Sequence, residues 1–168
     1  RIGLCSLTKG LTDAKLEWGG VSNTGVKSGA GSVSYPKFGP VGLCLTNEPL
    51  MPLVPNHSPY VFYFEVTVLN RGTDGSVTIG WAPEGYRETR HPGWDAPSFG
   101  LHGDNGKLYN NNPYGQRTYA PIFQNGDVIG CGFDVGKKNL FWTRNGSFLG
   151  TAFPSGKLAP YHATIGFT

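Results

Sequence analysis

An all-β sandwich or barrel is the fold class this sequence predicts, on three observations. Short apolar runs alternate with period two, the signature of half-buried strands. Turn residues interrupt them about every 8–12 positions, and Gly 26 and Pro 13 supply the turns. No long stretch carries helical periodicity. The 22 aromatic residues (Trp 4, Tyr 8, Phe 10) give the chain ample surface to bury, so the turn-rich composition does not signal disorder. At 168 residues the length fits one domain.

Residues 1–20 hold Leu4, Leu7, Leu11 and Leu16, which suit a short helix or an irregular entry strand. Trp18 before Gly19-Gly20 reads as a core anchor. Residues 20–34 are rich in Gly and Ser but lack the final G-K-[ST] of a phosphate-binding loop, so short edge strands are expected. Val41 to Thr46 is a strand candidate. The prolines from Pro49 to Pro59 cannot donate to a ladder and predict an extended surface loop.

Val61 to Leu69 is the longest predicted strand, with Phe62, Phe64, Val66 and Val68 on one face. Glu65 is its odd residue, read as a hydrogen-bonded carboxylate. Arg71 to Gly75 is a hairpin loop, and Ser76 to Ala82 returns with Val77, Ile79 and Trp81 on one face. Pro83 to Pro97 is irregular. Ser98 to Leu101 and Lys107 to Tyr109 flank a turn at Gly103 to Gly106, and Tyr109 to Tyr119 is a second long loop.

From Gly126 to Phe153 the chain reads as three antiparallel strands. Ile129, Cys131, Phe133 and Val135 alternate with Val128, Gly130, Gly132 and Asp134. Asn145-Gly146 closes the second hairpin as a type I′ turn, which needs positive φ at both positions. Residues 160–167 close the chain with Tyr161, Ala163, Ile165 and Phe167 on one face. Asn-Gly recurs at 105, 125 and 145, but the residues between do not match and no repeat is inferred.

Several of these stretches resemble one family. G-D-V-I-G-C is Gly126 to Cys131, and the N-G hairpin with L-G-x-A-F runs from Phe141 to Phe153. Y-F-E-V is Tyr63 to Val66, I-G-W is Ile79 to Trp81, P-G-W-D is Pro92 to Asp95, and H-G-D-x-G is His102 to Gly106. In this order they resemble SPRY domains of the RanBPM type, over Tyr60 to Thr168. Residues 1–59 carry no comparable match. The resemblance implies a bent β-sandwich of two antiparallel sheets, akin to concanavalin-like jelly rolls. Residues 1–168 are expected to form one such domain, with 1–59 as its less regular N-terminal part.

The chemistry of enzymes is missing from the motifs. Glu65 and Asp134 sit singly on their strands, whereas a glycosidase needs two carboxylates facing the sugar. No G-x-S-x-G occurs. His91 and His102 with Asp95 and Asp104 are the one local group of metal-type ligands, and the resemblance assigns them to holding loops. No catalytic residue, metal or cofactor is therefore expected. The net charge of +3 without a basic cluster argues against nucleic acid, and no apolar run is long enough to span a membrane. Cys5, Cys44 and Cys131 cannot all pair with one another, which predicts reduced thiols, with Cys131 a buried core residue.

What remains is a rigid scaffold with loops rich in Tyr, Trp, Arg and Asn, the composition of binding surfaces. Chain geometry is expected to bring loops 83–97 and 109–119 to one end. The candidate partner-binding residues are Tyr86, Arg87, Arg90, His91, Trp94, Tyr109, Asn111, Tyr114 and Arg117. His91, Trp94 and Asp95 also suit the role of holding their turn. The partner expected is a protein or peptide bound by a monomeric domain within a larger protein. The resemblance implies a recognition or scaffold domain of a ubiquitin-ligase-associated adaptor, in the cytoplasm. The alternatives are a secreted effector, an adaptor on the cytosolic face of endosomal membranes, or a carbohydrate-binding lectin using Tyr109, Asn110, Asn111, Asn112 and Tyr114.

Overall fold

A computed structural model describes residues 3–8, 18–21, 27–29, 32–35, 41–47, 49–50, 61–154 and 159–168. Thirteen strands are present among them: β1 (Gly3–Thr8), β2 (Trp18–Val21), β3 (Lys27–Gly29), β4 (Ser32–Tyr35), β5 (Gly42–Thr46), β6 (Val61–Arg71), β7 (Val77–Pro83), β8 (Phe99–His102), β9 (Leu108–Tyr109), β10 (Val128–Asp134), β11 (Asn139–Arg144), β12 (Ser147–Phe153) and β13 (Tyr161–Phe167). They build a seven-stranded sheet in the order β12-β11-β10-β6-β1-β4-β3 and a six-stranded sheet in the order β2-β5-β13-β7-β8-β9. Every ladder is antiparallel. The entry segment is strand in the parts described, not helix, and it contributes to both sheets. The side chains of Cys5 and Trp18, the Gly/Ser turns and most of the Pro-rich stretch lie outside the described residues.

The predicted alternation decides which faces meet. Phe64, Val66, Val68, Ile129, Cys131, Phe133, Leu140 and Trp142 point from one sheet at Val77, Ile79, Trp81, Leu101, Ala163, Ile165 and Phe167 from the other. Phe64 meets Trp81 edge-on at 4.8 Å. Trp142 bridges the sheets, its indole N–H donating to Ile79 O at 3.1 Å. Cys44 and Cys131 are free and buried, and burial pushes the Cys44 thiol up to about 12.

The Asn145-Gly146 turn has φ of 51° and 79°, the positive pair of a type I′ turn. Asn145 does more than turn the chain. Its Oδ1 accepts from Val128 N at 2.8 Å, and its Nδ2 donates to Asp127 Oδ1 at 3.0 Å. Arg144 closes on the same carboxylate at 2.7 Å. Asn145→Val is therefore expected to cost about 2–3 kcal/mol, from a β-branched residue at positive φ and the loss of both bonds. Urea unfolding would measure it; an unchanged midpoint would refute the pinned turn.

Candidate functional site

The segment between β7 and β8 does not stand away from the sandwich. It folds back over the outer face of the six-stranded sheet. That face is cut down to backbone at Gly100 and Gly166, which makes room. A methyl group on Gly100 would run into Pro92 O, and one on Gly166 would lie 2.6 Å from His91 Nδ1. This cover explains why both faces of β13 are buried along its length.

His91 is the peg of the loop. Its ring nitrogens lie 2.9 Å from Thr78 Oγ1 and 2.9 Å from Thr168 Oγ1. Burial lowers its pKa to about 3, so it sits neutral. Tyr86 donates its hydroxyl to His91 O at 2.9 Å and accepts from Asp95 N at 3.1 Å. Ser98 Oγ accepts from Gly93 N at 2.7 Å and donates to Asp95 O at 2.6 Å. The rings of Trp94, His102 and Tyr109 follow one another over β8 and β9, with His102 and Tyr109 stacked at 3.6 Å. Burial, and then the neighbouring His91, hold the His102 imidazole well below its ordinary range.

The two loops do meet. Phe99, at the start of β8, pairs with Trp81, and Tyr109, at the end of β9, pairs with Gly100, so both loops leave the same end of the sheet. Asn112 N donates to Gly93 O at 3.2 Å across them. The nine candidates nevertheless divide. Tyr86, His91 and Tyr109 are buried, at 8%, 2% and 5% exposure, which corrects the expectation that these tyrosines face solvent. Their polar atoms are spent inside the loop, and their rings cover the sheet. With Tyr109 buried, Tyr114 is the aromatic of the lectin alternative that stays on the surface.

Trp94 is half-buried, with the Arg90 guanidinium 5.5 Å above its ring. Arg90 also pairs with Asp95 at 3.2 Å. Arg117 is exposed but reaches the edge of the other sheet, donating to Thr151 O at 3.0 Å and Ala152 O at 3.3 Å. Three candidates stay on the surface: Arg87, whose side chain is 76% exposed and pairs with Asp95 at 3.9 Å, Tyr114, 86% exposed, and Asn111.

Beside Arg87 lies an open groove of about 380 Å³, lined by Pro83, Glu84, Gly85, Tyr86, Arg87, Asp95, Ala96 and Pro97. The sequence reading did not single out Pro83, Glu84, Ala96 or Pro97 as contact residues. The prolines bracketing the irregular segment were the available signal, since Pro confines a chain to a fixed φ and leaves its ring at the surface. Asp95 shares its carboxylate between two guanidiniums, and Glu84 also lies on the wall, so this corner sets two cations against two carboxylates. Such a groove can hold a few residues of extended chain and hydrogen-bond to carbonyls or a carboxylate.

Comparison with known proteins agrees with this architecture. The SPRY domain model matches residues 61–168. Over 93 residues the chain is 44% identical to Ran-binding protein 9 of Xenopus tropicalis, and 43% identical both to the Ran-binding proteins 9/10 homolog of Drosophila melanogaster and to Ran-binding protein 9 of Homo sapiens. The match covers 55% of this chain but only 17%, 10% and 13% of those proteins, which are several times longer. A crystal structure of a human SPRY domain superposes with a TM-score of 0.74 at 26% identity, covering 89% of this chain and 91% of that one. The SPRY domain of human HERC1 shares the fold, with a TM-score of 0.60 at 19% identity, covering 88% and 82%. The meander, the order of motifs and both sheets thus have one explanation: the chain belongs to the SPRY domain family.

Proposed function

We propose that the chain is a non-catalytic protein-interaction module that docks a short peptide or partner surface at the end of the six-stranded sheet. The observation that carries this reading is the groove beside Arg87, set on a loop that is itself pinned to the sheet by His91 and Tyr86. A rigid base lowers the ordering cost of binding. Arg87, Asn111 and Tyr114 are the contact residues, Arg90 and Trp94 support them, and Tyr86, His91, Tyr109 and Arg117 hold the loops in shape. Residues 1–59 belong to the same domain in this reading, because β1 to β5 complete both sheets. Membership of the SPRY family supports the interaction role. The finer proposal is a recognition or scaffold domain of a cytoplasmic, ubiquitin-ligase-associated adaptor, bound as one copy within a longer protein, which is what likeness to the RanBPM type implies.

Arg87→Ala/Tyr114→Ala tests the surface without touching the buried pegs. The variant is expected to melt with the wild type and to lose about tenfold or more in capture of its partners in a pulldown read by mass spectrometry. Wild-type capture by the folded variant would move the site elsewhere. Partners captured without any ubiquitin-ligase subunit would reject the adaptor role while keeping the surface.

A further inference from the structure

The outer face of the seven-stranded sheet carries a feature that the loop site does not use. Register places Glu65, Gly130, Thr143 and Phe148 in one row across β6, β10, β11 and β12, and Tyr63, Gly132, Phe141 and Thr151 in the next. The two glycines form a track between the outer strands, and two rings lie down over it from opposite sides. A methyl on Gly130 would strike the Tyr63 hydroxyl, and one on Gly132 would strike the Phe141 ring. The planes of Tyr63 and Phe141 are nearly parallel, at 17° and 6.2 Å between centroids. Phe148 stands against Phe141 at 61° and 5.4 Å, and it is 64% exposed.

A carboxylate lies on the Tyr63 side of these rings. Tyr63 O–H donates to Glu65 Oε1 at 2.8 Å, which leaves its oxygen to accept from Thr143 Oγ1 at 2.7 Å. The network fixes the Tyr63 ring and sets Glu65 beside it, and the bond occupies one carboxylate oxygen. Ring faces are electronegative, and so is the carboxylate. The surface therefore complements a cation, although the chain as a whole carries +3. Flat rings next to a carboxylate suit a guanidinium better than an ammonium. The guanidinium is planar, weakly hydrated and able to stack while its edge donates to an acid.

We propose that this face is a second docking surface, which takes an arginine side chain of a partner protein, its guanidinium stacked in the Phe141–Phe148 corner and donating to Glu65. It stands independently of the loop site, which lies on the other sheet. Truncating Phe148 leaves the core untouched because that side chain is largely in solvent, and Glu65→Gln removes the charge while keeping the acceptor for Tyr63.

The experiment is a titration of the ¹⁵N-labelled chain with N-acetyl-arginine methylamide, followed by NMR, with the citrulline analogue as an uncharged isostere and cellotetraose as a neutral sugar. Shifts are expected at the amides of Gly130, Gly132, Phe141 and Phe148 with the arginine probe. Phe148→Ala and Glu65→Gln should each weaken them by about fivefold, the scale of one exposed cation–π contact. Arg87→Ala/Tyr114→Ala should leave them unchanged. Equal shifts with citrulline, shifts with cellotetraose alone, or arginine shifts confined to residues 84–98 would each overturn the proposal.

Discussion

Trp142→Ala is expected to lose about 4 kcal/mol of stability, the range for a fully buried tryptophan cut to a methyl. Trp142 has no exposure, and it packs edge-on against Tyr119 at 6.2 Å and Phe153 at 6.1 Å. It also carries the bond to Ile79 O between the two sheets. Deleting it removes the apolar area, leaves a cavity between the two sheets, and takes away the indole bond to Ile79 O. Trp142→Phe keeps most of the area and should cost about 1–3 kcal/mol. A domain with a total of about 5–15 kcal/mol would survive the second change and stand near its threshold after the first. Urea unfolding of both variants measures the difference. An alanine variant within about 1 kcal/mol of wild type would mean that the sheets do not depend on this bridge.

Acid should loosen the loop before it reaches ordinary carboxylates. Burial lowers the pKa of His91 to about 3, against about 6.5 in an unfolded chain, and His102 shifts the same way. As pH falls below about 6.5 the unfolded chain takes up protons that the folded chain refuses. The stability contributed by the neutral imidazoles is present above that pH and is lost as pH falls toward the folded values. His91 should remove about 2 kcal/mol between pH 7 and 5, and His102 acts in the same direction. Asp104, whose carboxyl burial raises, works in the opposite direction. Urea midpoints across that window test the effect. A flat profile would mean that water or a partner reaches these rings.

Not every element was equally open to reading. β10 follows directly from period-two alternation, and the Asn145-Gly146 dipeptide marks the hairpin that joins β11 to β12. β12 begins in the same way, then slips. Thr143 pairs with Phe148, Phe141 with Thr151 and Leu140 with Phe153, so β12 holds two extra residues, one in each step, and Gly150 in the first step takes φ of 99°. Phe148 lies before the slips, opposite Thr143, and takes its face from the hairpin register; alternation alone does not reveal the slips.

The candidate site was legible as composition and not as exposure. The motif order and the position of β8 and β9 identify which loops share an end, because an antiparallel hairpin returns its chain to where it started. Whether Tyr86 points out or in has no local signal. A tyrosine in an irregular loop has an apolar ring and a polar tip, and either destination satisfies it. Its fate depends on Leu43 and Ala82, which pack on it, and on the bare backbone at Gly100 and Gly166, which lets the loop lie down. Arg117 is similar: the carbonyls that take its guanidinium belong to Thr151 and Ala152, 34 and 35 positions further on.

By itself, then, the sequence determined the strands, the turns and the family, because period, turn chemistry and motif order are properties of neighbouring residues. Only the tertiary structure decided that Tyr86, His91 and Tyr109 are pegs, that Arg87 and Tyr114 stay exposed, and that Tyr63, Phe141 and Phe148 assemble across a glycine track. Each of those outcomes rests on surfaces from distant strands competing for the same side chain, and that competition is settled only when the sheets pack.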